Sequence, residues 1–293
     1  MKIFSINSKV LFYKEYCNNT PTGIIFGNLN GFSKFLRFLC GKLLPPLYSL
    51  FYTKDFRNCG ASETTIVIFD SNLTRRAANY VKHRYPNLRV IYWFWNHIYD
   101  PSILNELDDE VELWTYDAID AAKYNLKMNT QFFFPELVCE TEQYHTNFDC
   151  IFVGSDKGRY KILEKTKKEL EDRFLKTFFL IAETGRFKND KNRLSYYDVL
   201  SRVKASKCVI DILPEEQTGL SLRPLEALFF NKKLITNFKY IKKYPFYSPF
   251  SIFILGEDNI NDIKKFMDSD LDFTYESKYK DYYSFRNWLH RFL

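Results

Sequence analysis

Apolar and polar positions alternate along this chain in two rhythms. Residues 65–69 form a short β-branched and aromatic run that stops at Asp70, the pattern of a buried strand. Leu73, Ala77, Ala78, Tyr80 and Val81 then recur on one side of a helix. Segments 88–95 and 111–116 read as further strands, 118–126 as a helix, and 131–134 as a fourth strand. The stretch 138–149 breaks the pattern. Beyond it the alternation resumes, with strands at 150–153, 177–182, 208–213 and 233–236 and helices at 160–175, 196–205, 221–230 and 260–267. Strands separated by helices predict parallel sheets, so the expected class is α/β. The break predicts two Rossmann-like domains, 1–147 and 148–293. A last helix, 282–293, carries Tyr282, Phe285, Leu289 and Phe292 on one face, a core-docking stripe.

Composition agrees with this and narrows the partners. A length of 293 residues suits two domains of about 150. A hydrophobic content of 46% is that of a globular protein, so disorder is not the default. The net charge of +6 suits an anionic partner, a nucleotide or a lipid headgroup. Its basic residues are spread out rather than clustered, which argues against nucleic acid as the partner. Six cysteines without a CxxC pair fit a reduced, cytoplasmic interior. The first residues lack the apolar core of a signal peptide and no stretch offers eighteen uncharged apolar residues, so no transmembrane helix is expected. Segment 32–56 mixes Phe32, Phe35, Leu36, Phe38, Leu39 and Leu43 with Lys34, Arg37, Lys42 and Lys54. Two readings fit it: an interfacial segment on an anionic membrane surface, or a buried aromatic helix with snorkelling cations.

The chemistry concentrates in 208–237. An apolar run ends at Pro214, a polar loop with one glycine follows, then an amphipathic helix and a second strand. That order points backbone N–H groups at an anion. Here the chain resembles bacterial glycosyltransferases of the GT-B architecture, of the kind that build O-antigen and capsular polysaccharides, galactofuranosyltransferases among them. The resemblance is carried by Asp211, Gln217-Thr218-Gly219-Leu220, Arg223, Glu226-Ala227-Leu228 and Lys232-Lys233-Leu234-Ile235-Thr236-Asn237, together with Phe152-Val153-Gly154-Ser155-Asp156-Lys157-Gly158-Arg159. It covers roughly 148–250. The plainer readings are an ordinary αβ unit that binds nothing for 208–237, and an N-cap with solvated basic side chains for the turn holding Lys157 and Arg159.

The resemblance implies two Rossmann-like domains with parallel sheets facing across a cleft, the last helix returning to the first domain. It implies transfer of a sugar from a nucleoside diphosphate, a UDP-sugar such as UDP-galactofuranose, to a growing lipid-linked glycan at the inner membrane face. Lys157 and Arg159, the loop Gln217, Thr218, Gly219 and Leu220, and Arg223 would meet the phosphates. Glu226 would accept hydrogen bonds from ribose hydroxyls. Arg186, in a turn after strand 177–182, would approach phosphate or base, and Tyr196 and Tyr197 either help hold the base or belong to the core. Retaining members pair two glutamates with seven residues between them; here the partner position is Thr218, which weakens a retaining assignment. No cofactor or metal is expected: Asp268-Ser269-Asp270 spells a DxD but falls late in the order, and Asp108-Asp109-Glu110 reads as a solvated turn. For the catalytic base the candidates are Asp70, which ends a strand, and then His97. A degenerate GT-B-fold scaffold and a nucleotide-sugar epimerase or hydrolase are the competing readings.

Overall fold

The computed structural model describes residues 1–6, 20–140, 148–182, 194–214, 217–270 and 277–293. The chain divides into two compact units, Met1–Thr130 and Gln131–Leu293. The division thus falls after Thr130, upstream of the boundary expected at 147. Each is an α/β unit on one parallel sheet.

In unit 1 the elements run β1 (Lys2–Ser5), β2 (Thr22–Ile24), α1 (Gly31–Leu43), α2 (Lys54–Arg57), β3 (Thr65–Phe69), α3 (Arg75–Arg84), β4 (Arg89–Phe94), β5 (Glu112–Thr115), α4 (Ala118–Tyr124) and β6 (Lys127–Met128). Their order across the sheet is β2-β1-β3-β4-β5-β6. All five residues of β3 are buried, as a parallel strand covered on both faces requires. Ala77, Ala78 and Val81 of α3 pack into the same core.

Unit 2 comprises α5 (Glu136–Glu140), β7 (Cys150–Ser155), α6 (Tyr160–Glu171), β8 (Thr177–Ala182), α7 (Tyr196–Ala205), β9 (Cys208–Asp211), α8 (Leu222–Phe229), β10 (Lys233–Thr236), β11 (Ile252–Ile254), α9 (Ile263–Asp268), α10 (Ser277–Tyr282) and α11 (Phe285–His290). Its sheet order is β11-β10-β9-β7-β8.

Both sheets share one topological feature. The first strand of each lies between the second and the third, so successive crossovers leave that strand on opposite sides. In open α/β sheets the crevice at the carboxyl ends of such a pair is where ligands bind. Asp70 follows β3 in unit 1, at the β1/β3 pair. In unit 2 the corresponding pair is β7/β9, aligned Cys150 to Cys208 and Ile151 to Val209.

Three expected elements differ. Segment 131–134 is not a ladder strand: Phe133 makes only an isolated bridge to Ser284. Its aromatic side chains pack instead, Phe132 on Trp288 at 4.4 Å and Phe134 on Phe285 at 4.7 Å. The last helix is broken in two because Ser284 caps a new start, its Oγ accepting the Asn287 N–H at 3.3 Å. The buried stripe is consequently Phe285, Trp288, Leu289 and Phe292, with Tyr282 exposed. Helix 160–175 likewise ends early, at Glu171.

Candidate functional site

The loops after β7 and β9 meet at the crevice of unit 2. β7 runs into a tight turn of Asp156, Lys157, Gly158 and Arg159, closed by the Arg159 N–H on the Asp156 carbonyl at 3.0 Å. Both central residues have positive φ, 45° at Lys157 and 79° at Gly158. Glycine takes that conformation without penalty, whereas a lysine there stores roughly 1–3 kcal/mol of strain, a cost that clusters at ligand clamps. The turn leaves Lys157 exposed as a residue, while its ammonium is partly shielded from water by the surrounding chain.

Arg159 is buried, at 7% exposure. Its guanidinium donates to the carbonyls of Ile212 and Ser155 and lies 5.3 Å from the centre of the Phe152 ring. The expected phosphate cation is therefore a strut tying the end of β7 to the loop after β9. The sequence hides this because the Ile212 carbonyl reaches Arg159 only through the register of β7 and β9.

Arg223, in the first turn of α8, also points back at the sheet. Its Nη2 donates to the Val153 carbonyl at 2.6 Å, and its guanidinium sits 4.9 Å from the same Phe152 ring. Phe152 thus carries two arginines, each held by cation–π attraction as well as by hydrogen bonds. Nη1 of Arg223 is 3.7 Å from Oδ1 of Asp211. Ser221 caps α8, accepting the Arg223 N–H at 3.2 Å while its hydroxyl donates to Asp211 Oδ1 at 2.9 Å. Asp211 is fully buried, and burial raises its pKa, against the pull of Arg223, Ser221 and Arg159. The Lys157 ammonium is shifted down, by desolvation first and then by Arg159 and Arg223. These three cations therefore share one electrostatic neighbourhood.

Glu226 stands one turn further along α8 and is buried at 5% exposure. The Tyr196 hydroxyl donates to its Oε1 at 3.0 Å. Burial raises the Glu226 pKa, with Arg223 and Tyr196 opposing and Asp211 adding to the rise. A ribose hydroxyl on Glu226 would share the carboxylate with Tyr196. Tyr196 opens α7, where Ser195 and Asp198 form a reciprocal capping box. In the loop before α8, Gly219 and Leu220 are buried and Gln217 and Thr218 half-buried, with Gln217 Nε2 3.5 Å from the Gly219 carbonyl. Arg186 lies outside the described residues. The fold thus gathers Lys157, Arg159, Arg223, Glu226, Asp211 and Tyr196. Asp211 and Tyr196 are the members whose parts in the cluster the sequence did not foretell, although Ser195 followed three residues on by an acid is a readable capping signal.

In unit 1 Asp70 sits at the crevice with a defined setting. It accepts the Tyr92 hydroxyl at 2.8 Å, and Arg75 Nε lies 3.6 Å from its Oδ1. Burial raises its pKa; Tyr92 and Arg75 pull it down and Glu106 adds to the rise. A carboxylate shifted upward is a stronger base, the direction a general base needs. His97 follows β4 and has other company. Its Nδ1 is 3.1 Å from Asp120 Oδ2 and 3.5 Å from Asp117 Oδ2. One ligand atom from each of these three lies within 4.8 Å of the others, the one such group among the described residues. Both carboxylates already have main-chain partners. Asp117 caps α4 through the Ile119 N–H at 2.9 Å, and Asp120 accepts the Ile98 N–H at 2.9 Å. The trio therefore pins the loop after β4 to the start of α4.

The DxD sequence has a structural use as well. Ser269, between its two aspartates, accepts from the Lys233 ammonium at both carbonyl (2.6 Å) and hydroxyl (2.8 Å). His83 Nε2 lies 3.0 Å from Asp108 Oδ2, and Glu110 lies 3.6 Å from Lys82. Compared with known proteins, the chain matches no protein-family model and no curated protein.

Proposed function

We propose that the chain is a glycosyltransferase of the GT-B type, unit 2 holding a nucleoside-diphosphate sugar and unit 1 the acceptor. The observation that carries this reading is the cluster at the β7/β9 crevice. There Lys157 on a strained turn and the start of α8 bring positive charge, and the buried Glu226 stands one turn behind. When a glycosidic bond to a nucleoside diphosphate breaks, negative charge grows on the leaving phosphate. Groups aimed at that charge act on the transition state more than on the bound sugar. Lys157 and the backbone N–H groups at the α8 N-terminus are the donors, which lets the phosphates bind without a divalent cation. Arg159 and Arg223 stiffen the crevice through Phe152 and the strand carbonyls and add their field. Asp70 takes the acceptor hydroxyl proton. The donor is a UDP-sugar, the acceptor a lipid-linked glycan, and the setting the cytoplasmic face of a membrane.

Calorimetric titration of the full chain with UDP in the presence of EDTA tests this. Binding that persists in chelator is expected; binding that disappears with the metal removes the metal-free part, and no binding at all removes the reading. A second reading, a nucleotide-binding partner without turnover, draws on the use of both arginines for strand carbonyls. Hydrolysis or transfer from a UDP-sugar by the purified chain decides between them.

A further inference from the structure

Helix α1 is turned the unusual way round. Phe32, Phe35, Leu36, Leu39 and Leu43 fall at i, i+3, i+4, i+7 and i+11, a single stripe that ordinarily faces a core. Here it faces outward: Phe32 is 70% exposed, Phe35 56% and Leu43 72%. Phe38, Leu44, Leu47 and Leu50 extend the exposed surface. The side turned to the body is Gly41, the one buried residue of the helix, whose carbonyl receives Arg76 Nη1 at 2.5 Å. Arg37 lies over Phe26 on the inward flank, 4.6 Å from the ring centre. The two sequence readings of 32–56 therefore apply to different halves. Tyr48, Tyr52 and Phe56 are core, and α1 is a surface.

From Thr20 to Lys54 the chain has no acidic residue, while Lys34, Arg37, Lys42 and Lys54 are basic. A contiguous apolar patch of this kind marks an interaction site. Charge selects the occupant. A second copy would set these cations against their own kind, whereas an anionic bilayer offers an apolar boundary beneath a negative surface. No helix among the described residues is long and apolar enough to cross a membrane, so the contact is one of lying on it. A cavity of about 180 Å³ behind the stripe is lined by Lys34, Arg37, Phe26 and Leu29 among others, room for part of a headgroup.

We infer that α1 docks the chain onto an anionic lipid surface, with the Phe32–Phe35–Leu36 stripe at the acyl boundary and Lys34 and Lys42 at the headgroups. The loop leading to α1 leaves β2 at the same carboxyl edge of the unit 1 sheet as Asp70. If the chain is the transferase proposed above, such docking brings a lipid-anchored acceptor to that edge; the docking itself does not depend on that reading.

The test is co-sedimentation of the full chain with vesicles of pure phosphatidylcholine and of phosphatidylcholine with about a third phosphatidylglycerol, a composition set by the charge argument. Binding to the anionic vesicles alone is expected, falling sharply near 1 M salt, where the screening length is about 3 Å. Lys34→Gln with Lys42→Gln is expected to weaken binding roughly tenfold or more, at about one kcal/mol per cation near the surface. Phe32→Ser with Phe35→Ser is expected to abolish it; both side chains are exposed, so the fold is not at stake. UDP titration of the same variants is expected to be unchanged, which separates this inference from the proposed activity. Equal binding to both vesicle types, or none to either, overturns it. So does a concentration-dependent dimer in light scattering that the double Phe variant removes, since a second copy would then cover the stripe.

Discussion

Gly154 and Arg223 occupy each other's space: a Cβ on Gly154 would run into Nη2 of the Arg223 guanidinium. The missing methyl is what lets the arginine lie against β7, donate to the Val153 carbonyl at 2.6 Å and stack over Phe152. Glycine is thus needed here for close approach, not for its backbone freedom. The consequence is an arginine fixed at the mouth of the crevice by a glycine 69 positions earlier in the sequence.

Gly154→Ala is expected to displace Arg223 and weaken UDP binding by roughly tenfold or more, the loss typical of a disturbed charged hydrogen bond. Overpacking of this size costs about 1–3 kcal/mol of stability. Calorimetry and urea denaturation on the same sample measure the two effects. An unchanged affinity would mean that the Arg223 position has no bearing on the ligand.

Glu226 and Tyr196 can be separated by chemistry. Glu226→Gln keeps the shape of the side chain but removes the charge beside Arg223, and nucleotide affinity is expected to fall by about 1–3 kcal/mol. Tyr196→Phe removes the donor and leaves Oε1 of a buried carboxylate unsatisfied. That variant is expected to lose about 1–3 kcal/mol of stability instead. If Glu226→Gln binds UDP as well as the parent, the ribose role is lost and the pair is structural.

The parts of this arrangement readable in the sequence are those set by local pattern. The run Cys208–Asp211 and the helix Leu222–Phe229 differ in period, so strand, loop and helix are evident from the residues alone. The parts hidden are set by distance. β1 and β2 are four and three residues long, too short to show a period, yet they decide that β3 lies beside β1 and that Asp70 lies at the crevice. Arg159 after a glycine reads as a solvated cation, because nothing local announces the Ile212 carbonyl. The outward stripe of α1 has the pattern of a core helix, and only the fit of Gly41 against Arg76 and Tyr48 shows which side is buried.

Stability should depend on pH with a definite sign. Asp70, Asp120 and Asp211 titrate above their ordinary 3.8 and Glu226 above 4.5, in each case chiefly because burial strips the carboxylate of water. The folded chain then holds protons that the unfolded chain has released, so stability falls as pH rises through this window. The contribution is full below the ordinary values and lost above the raised ones. Glu112 runs the other way. Hydrogen bonds from Arg89 above all hold it at about 2, so its contribution is present above 4.5 and lost only as pH falls toward 2. Urea midpoints should therefore decline as pH rises from 4.5 through the range just above it, and Asp211→Asn should flatten the slope. A slope that rises over that range would contradict the burial argument.

Asp70 is the most exacting of these residues to test, because the role proposed for it is catalytic and its setting is now specific. Tyr92 and Arg75 hold the carboxylate in place, 2.8 and 3.6 Å away, while burial pushes its pKa upward. A base so placed acts in the transition state and leaves the bound donor alone. Asp70→Asn preserves shape and the partnership with Tyr92 but removes the basic lone pair. UDP affinity is expected to stay at the parent value, while transfer from a UDP-sugar falls by about 10²–10⁴-fold. Tyr92→Phe should act more mildly, since it removes an orienting hydrogen bond rather than the base itself. It should also shift the acidic limb of the rate profile to higher pH, because a bond that lowers the Asp70 pKa is lost. A near-parental rate for Asp70→Asn transfers the assignment to His97. There Asp117 and Asp120 already flank the ring, and His97→Gln becomes the deciding variant.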